Sequence, residues 1–205
     1  MSLTPNPAAL VCLASRSPRR RALLTQIGVP HVVRSADIDE TVAPGERAAD
    51  YVVRMARSKA LAVRARGEVL PVLAADTTVV LDELICGKPA DEADALGILE
   101  RLSGRSHQVL TAVALALDAG VALRLSQSEV RFRPLSRAEI RAYWASGEPR
   151  DKAGAYAVQG LGAVFVEQLS GSYSGVMGLP LFETAELLSA AGLAYWQGSL
   201  SGGAA

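Results

Sequence analysis

The sequence predicts an α/β domain with room for a lobe, and three observations carry that expectation. Apolar runs of strand length, bounded by turn residues, recur along the 205 residues. Segments with helical spacing and suitable capping residues lie between them. Hydrophobic residues make up 50% of the chain, enough to bury a substantial core without disulfide staples.

Residues 10–14 read as a short buried strand that runs straight into Ser15-Arg16-Ser17-Pro18-Arg19-Arg20-Arg21. Ser17 suits an N-cap and Pro18 the first helical position, while Leu23, Leu24 and Ile27 supply an apolar stripe up to Gly28. A second strand fits 31–33. A longer helix fits 46–66, with Val52, Met55 and Ala56 marking one face. Residues 72–81 read as a strand of the sheet core, in which Asp76 stands where the apolar run gives way to two threonines. Asp82-Glu83 then turns the chain into 84–86, a hairpin that brings Gly87-Lys88-Pro89 back. Asp91 caps a helix carrying Leu96, Leu99 and Leu102, which ends in the polar loop Ser103-Gly104-Arg105-Ser106-His107. Residues 108–117 and 121–132 pair as an antiparallel ribbon through Asp118-Ala119-Gly120. Ser136 and Glu139 form a capping box for a helix that stops at Gly147. A small-residue segment spans 151–162, a final strand 165–169 and a turn 170–174. Pro180 opens the last helix, through Leu187 and Leu188.

Lysine plus arginine and aspartate plus glutamate number 21 each, so overall charge suggests neither a nucleic-acid coat nor an acidic tail. The distribution is less even. No acidic residue precedes Asp37, whereas Arg16, Arg19, Arg20, Arg21 and Arg34 all do. Arginines in the first turn of a helix oppose the helix dipole, which already places positive partial charge there. They make sense if an anion such as phosphate docks on that turn. Cys12 and Cys86 sit in apolar runs, as buried thiols of a reducing compartment do, and no disulfide is expected. With no secretory signal pattern and no apolar stretch of bilayer length, the expectation is a soluble cytoplasmic protein with no membrane partner.

Several polar residues stand out against this background. Asp76 in an apolar strand must hold a metal ion, meet a cation or sit at the mouth of a cleft, because an unpaired buried carboxylate is strongly unfavourable. Lys88 is the nearest candidate cation in the sequence, and a surface turn with a simple salt bridge accounts for the pair equally well. Asp37, Asp39 and Glu40 form an acidic cluster that is either solvent-facing polarity or a site for a hard divalent cation. Lys59 lies on the buried stripe of its helix, so it either reaches solvent or points its ammonium at an anion. Gln159, within the small-residue segment, offers a donor and an acceptor to a base edge, in a stretch that also reads as a plain glycine-rich connector. The Walker, dinucleotide-binding, His-Glu-x-x-His and Gly-x-Ser-x-Gly patterns are absent. The chain's only histidines are His31 and His107. What remains is carboxylate, lysine, arginine and amide, the groups of metal-assisted phosphoryl transfer.

Taken together, Leu13-Ala14-Ser15-Arg16-Ser17-Pro18-Arg19-Arg20, Ala75-Asp76-Thr77, Gly87-Lys88-Pro89, Leu102-Ser103-Gly104-Arg105-Ser106-His107 and the block 151–160 resemble the Maf family of nucleoside triphosphate pyrophosphatases. The resemblance spans 10–188. It implies a fold like that of inosine triphosphate pyrophosphatases, a mixed sheet with flanking helices and two lobes around a central cleft, usually as a homodimer. One domain is expected over 1–198, with a disordered tail at 199–205. Asp-Lys-Ala-Gly-Ala-Tyr at 151–156 matches the branch that acts on dTTP and UTP. By the same resemblance Asp76 is the proton acceptor, and Arg19, Thr77 and Gln159 are tied to base selection. Glu40, Lys59 and Lys88 match further polar positions of the cleft. Ala75 and Ala157 stand where the family commonly has glycine.

The resulting expectation is a hydrolase that binds triphosphate on Ser17, Arg19, Lys59 and Lys88, with Mg²⁺ or Mn²⁺ on Glu40 and Asp76. Water attacks the α-phosphorus and pyrophosphate leaves. The alternative is a nucleotide-binding regulator of septum formation with little turnover.

Overall fold

The computed structural model describes residues 8–196; the tail expected at 199–205 lies outside them. Seven strands form one mixed sheet: β1 (Val11–Leu13), β2 (His31–Val33), β3 (Val72–Leu81), β4 (Leu84–Cys86), β5 (Ser106–Leu117), β6 (Gly120–Phe132) and β7 (Val166–Ser170). Their order is β2-β1-β3-β5-β6-β7, with β4 also on β3. β2, β1 and β3 run parallel, and every other pairing is antiparallel. Six α-helices lie among the described residues: α1 (Pro18–Gln26), α2 (Ala48–Arg64), α3 (Glu92–Leu102), α4 (Arg137–Ala145), α5 (Tyr173–Met177) and α6 (Leu181–Ala190). The expected α/β class, mixed sheet and flanking helices are all present.

β3 organises the molecule. β5 covers one of its edges along 72–80. β1 and β4 must therefore share the other edge, β1 at 72–73 and β4 at 79–81. Between them residues 74–78 have no strand partner on that side, and Asp76 is the middle of this gap. Strand period sends alternate side chains to opposite faces. Val72, Ala74 and Val80 pack in the cluster with α2 residues Val52, Ala56, Ala60 and Val63. Leu73 and Ala75 pack with Leu23 and Leu24 of α1 and Leu187 and Leu188 of α6. Asp76 thus shares the α2 face and Thr77 the α1 face. A third cluster, around α3, α4, Phe132 and Tyr156, packs beyond the gap with Cys86 of β4.

Local chemistry fixes the ends of the elements. The Ser17 hydroxyl accepts from the Arg20 amide, and Pro18 opens α1. Asp91 caps α3, and Ser136 with Glu139 makes the reciprocal capping box of α4. The Asp82-Glu83 turn carries φ of 49° and 67°, the left-handed pair that a tight two-residue hairpin demands.

Four expectations need correction. Ser106 and His107 are not loop residues: they pair with Arg131 and Val130 as the start of β5, because His107 buries its ring against Phe132 and Tyr156. The 170–174 turn runs into α5, capped by Ser172. The small-residue segment contains short 3-10 turns, Glu148–Asp151, Ala153–Ala155 and Leu161–Phe165, and the last of these takes Phe165 from the final strand. α2 starts at Ala48, after an Arg47 that makes no side-chain cap, so Glu46 precedes it and instead binds Arg54.

Candidate active site

The gap on β3 opens into a cleft of about 610 Å³, within the size range of small-molecule sites. Ser17, Arg19, Glu40, Lys59, Asp76, Thr77, Lys88 and Gln159 all line it. These eight come from segments as far apart as α1 and the loop after Tyr156; of the acidic cluster only Glu40 reaches the cavity, while Asp37 and Asp39 stay outside it and Asp39 accepts the Thr41 amide.

Strand parity explains who meets whom. On the α2 face Lys59 donates to Asp76 Oδ1 at 2.6 Å, and both side chains are nearly buried, 11% and 10% exposed. The cation that answers Asp76 is therefore Lys59, and Lys88 was the nearer guess only along the chain. Lys59 sits one turn beyond Met55 on the buried stripe, so its ammonium is delivered to the strand and not to solvent. Glu40 closes on the same ammonium at 2.7 Å and meets Lys88 at 3.8 Å. Burial works to raise the Glu40 carboxyl, but the hydrogen bond and charge of Lys59, with Lys88 and Arg20, outweigh it and hold the group below the usual range. Tyr51 of α2 donates to the Glu40 carbonyl at 3.0 Å, and Arg54 holds the same loop through Thr41 and Glu46.

On the opposite face Arg20 reaches Thr77. Its guanidinium donates to Thr77 Oγ1 at 3.2 Å and to the Gly178 carbonyl at 2.7 Å. Burial pulls this guanidinium down from its ordinary value, while the charge of Asp76 holds it up. The Thr77 and Thr111 hydroxyls lie 3.0 Å apart, as expected for a directly opposed pair on β3 and β5, and Thr111 donates to the Gly175 carbonyl at 2.8 Å. Arg20 was left unassigned by the sequence, which could not say which arginines of the run turn inward. Arg19 and Arg20 both line the cleft, and Arg21 is exposed. Side chains of a first turn lean toward the helix start, so neighbours there can reach the same opening.

The segment after α4 forms the far wall. Arg19 pairs with Asp151 at 3.5 Å, and Lys152 pairs with Asp151 in turn. Asp151 and Lys152 line the cleft too; the sequence had marked them as part of a motif and given them no task. Gly154, at φ 70°, donates its amide to the Gly87 carbonyl at 3.0 Å and has no room for a Cβ beside Val79. Small residues in this stretch therefore let protein segments close on one another. Gln159 is exposed on the cleft wall.

Glu40 and Asp76 place hard oxygen donors around one point, the Lys59 ammonium, at 2.7 and 2.6 Å. No group of three or more His, Cys, Asp or Glu that could hold a metal occurs among the described residues. Two carboxylates are hard oxygen donors of the kind a divalent cation takes when phosphate oxygens and water complete its shell.

The description "Maf-like protein" matches residues 10–191 of the chain. A dTTP/UTP pyrophosphatase of Methylobacillus flagellatus is 55% identical over 186 residues, covering 90% of this chain and 94% of that protein. One of Nitrosomonas europaea is 54% identical over 196 residues, with 89% and 95% covered. Another, of Aromatoleum aromaticum, is 54% identical over 198 residues, with 90% and 96% covered. A match over nearly all of the sheet and the whole cleft, at more than half identity, means that the chain belongs to the Maf-like protein family.

Proposed function

We propose that the protein is a nucleoside triphosphate pyrophosphatase that hydrolyses dTTP and UTP to the monophosphate and pyrophosphate. The observation that carries this reading is the cleft itself: a carboxylate in the gap of β3, engaged by Lys59 and faced by Arg19, Arg20 and Lys88. The relatives named dTTP/UTP pyrophosphatase support the substrate class.

In this mechanism the triphosphate lies across the start of α1, against Ser17 and Arg19, and toward Lys59 and Lys88, which neutralise its oxygens. Lys59 releases part of its hold on Glu40 and Asp76 to the phosphate. Those two carboxylates would then hold Mg²⁺ or Mn²⁺, which supplies positive charge against the α-phosphate oxygens when bound. Before the phosphate arrives Lys59 holds Asp76 Oδ1; once that hold is loosened Oδ1 would be free for the ion, while Oδ2 orients a water for in-line attack on the α-phosphorus and takes its proton. The P–O bond to the β-phosphate breaks, and pyrophosphate departs with its charge offset by arginine and lysine. Thr77, Gln159 and Arg19 select the base. Two copies of the chain forming a dimer, a cytoplasmic location and no nucleic-acid partner complete the proposal. Among the described residues no helix is long and apolar enough to cross a membrane.

Turnover in heavy-oxygen water tests the reaction. Purified protein with Mg²⁺ or Mn²⁺ should convert dTTP and UTP to pyrophosphate and a monophosphate carrying the label. Label in pyrophosphate would place the attack elsewhere, and tight binding without product would favour a nucleotide-binding regulator. Light scattering of the eluted protein reports whether it is a dimer.

A further inference from the structure

We propose that Glu148 and Tyr143 are positioning residues for base recognition: together they hold the turn that presents Gln159 to the cleft. The inference rests on Gln159 reading the base, and deepens that reading.

Residues 157–160 form a turn closed by the Gly160 amide on the Ala157 carbonyl at 3.3 Å, with Gln159 at its tip. One end of the turn is fastened to the Glu148 carboxylate directly, the other through the Tyr143 hydroxyl. Glu148 Oε2 accepts the Leu161 amide at 3.0 Å, and Oε1 accepts the Gly162 amide at 3.0 Å. The Tyr143 hydroxyl donates to Oε1 at 2.7 Å and accepts the Ala157 amide at 3.0 Å. Three amides bracketing Gln159 thus end on two side chains. Burial works to raise the Glu148 carboxyl, but these N–H and O–H donors, with the charge of Lys152, hold it below the usual range.

The neighbouring glycines show how closely the parts fit. A Cβ on Gly160 would overlap the Glu148 carboxylate, and one on Gly162 would stand 2.7 Å from the Tyr143 hydroxyl and 2.9 Å from the Ala157 carbonyl. Gly160 has a φ of −114°, which any residue can adopt, so closeness and not conformation demands glycine there. Glu148 also begins the short Glu148–Asp151 turn, and Asp151 pairs with Arg19 across the cleft. Arg19 and Gln159, on opposite walls, therefore lean on the same four residues. A carboxylate with no contact to the cleft's chemistry couples the two positions assigned to the base.

The test compares kcat and KM for dTTP, UTP, dCTP and GTP in the full chain and in Glu148→Gln, Tyr143→Phe, Gly162→Ala and Gln159→Ala. Each clamp variant should raise KM for dTTP with kcat little changed, and the preference for dTTP over dCTP should fall about tenfold, as for a lost base contact. A purely structural defect lowers the active fraction for all substrates alike and leaves that preference where it was. Tyr143→Phe removes one oxygen and keeps the buried ring, so it carries the test if Glu148→Gln does not fold. Clamp variants that keep the preference to within about twofold, while Gln159→Ala loses it, overturn the clamp alone. A Gln159→Ala protein with unchanged preference overturns the base-reading role of Gln159, and the clamp with it.

Discussion

Replacing Asp76 by asparagine separates chemistry from architecture at the gap of β3. Asparagine keeps the shape and an oxygen at the position of Oδ1, so the 2.6 Å contact from Lys59 survives as a hydrogen bond from a cation to a neutral acceptor. Glu40 still answers the ammonium at 2.7 Å. The stability change is therefore one charge-assisted bond weakened against one buried charge relieved, about 1–2 kcal/mol at most. The catalytic loss is larger, because the amide cannot take a proton from water: turnover should fall about 10²- to 10⁴-fold, or about 3–5 kcal/mol of transition-state stabilisation. Lys59→Met is the contrasting variant. It strips the shared cation from two carboxylates, one of them nearly buried, and should cost about 3–5 kcal/mol of folding stability as well as activity. The assay is pyrophosphate release at saturating dTTP, alongside urea unfolding of both variants. An Asp76→Asn protein within about tenfold of the parent in kcat would refute the general-base assignment.

Arg20→Lys keeps the charge but not the fork that spans Thr77 and the Gly178 carbonyl; KM for the triphosphate should rise about tenfold, and an unchanged KM would remove Arg20 from the site. His107 is buried, and burial pushes its imidazole down to about 4 from an ordinary 6.5. Between those values the unfolded chain binds the extra proton, so stability falls as pH drops through the window, by about 3 kcal/mol in full. Unfolding midpoints of His107→Gln should lose that acid slope, and an equal slope in both proteins would contradict the assignment. Glu83 holds φ 67° at the hairpin tip, so Glu83→Gly should gain about 0.5–1 kcal/mol and raise Tm by about 2 °C; a lower Tm would show that the side chain does more than occupy the turn.

Much of this was legible because the informative signals are local. Ser17-Pro18, Asp91 and Ser136 with Glu139 announce helix starts through bonds made within a few residues. The 72–86 hairpin and the 108–132 ribbon show themselves by strand-length apolar runs on either side of short turns. Partners chosen across the fold were harder to read. Asp76 takes Lys59 because odd and even positions of β3 face different helices, a fact that needs the strand's neighbours and not its sequence. Arg20 was invisible among adjacent arginines, since only the opening at β3 decides which of them turns inward. The short helix at Tyr173–Met177 hides in a run of serines and glycines that reads as a turn. Gly160 and Gly162 read equally well as parts of a plain glycine-rich connector, because nothing local shows that Glu148 and Tyr143 fill the space a Cβ would take.

The shared edge of β3 has one more effect. β4 is only Leu84–Cys86, and it passes directly into Gly87 and Lys88, so the two-residue tip at Asp82-Glu83 meters where that lysine arrives. One inserted residue would slip the short strand by a place and turn its side chains over, swinging Lys88 off Glu40 and shifting Gly87 from the Gly154 amide. A surface tip outside the cleft thereby sets the spacing between the two halves of its mouth.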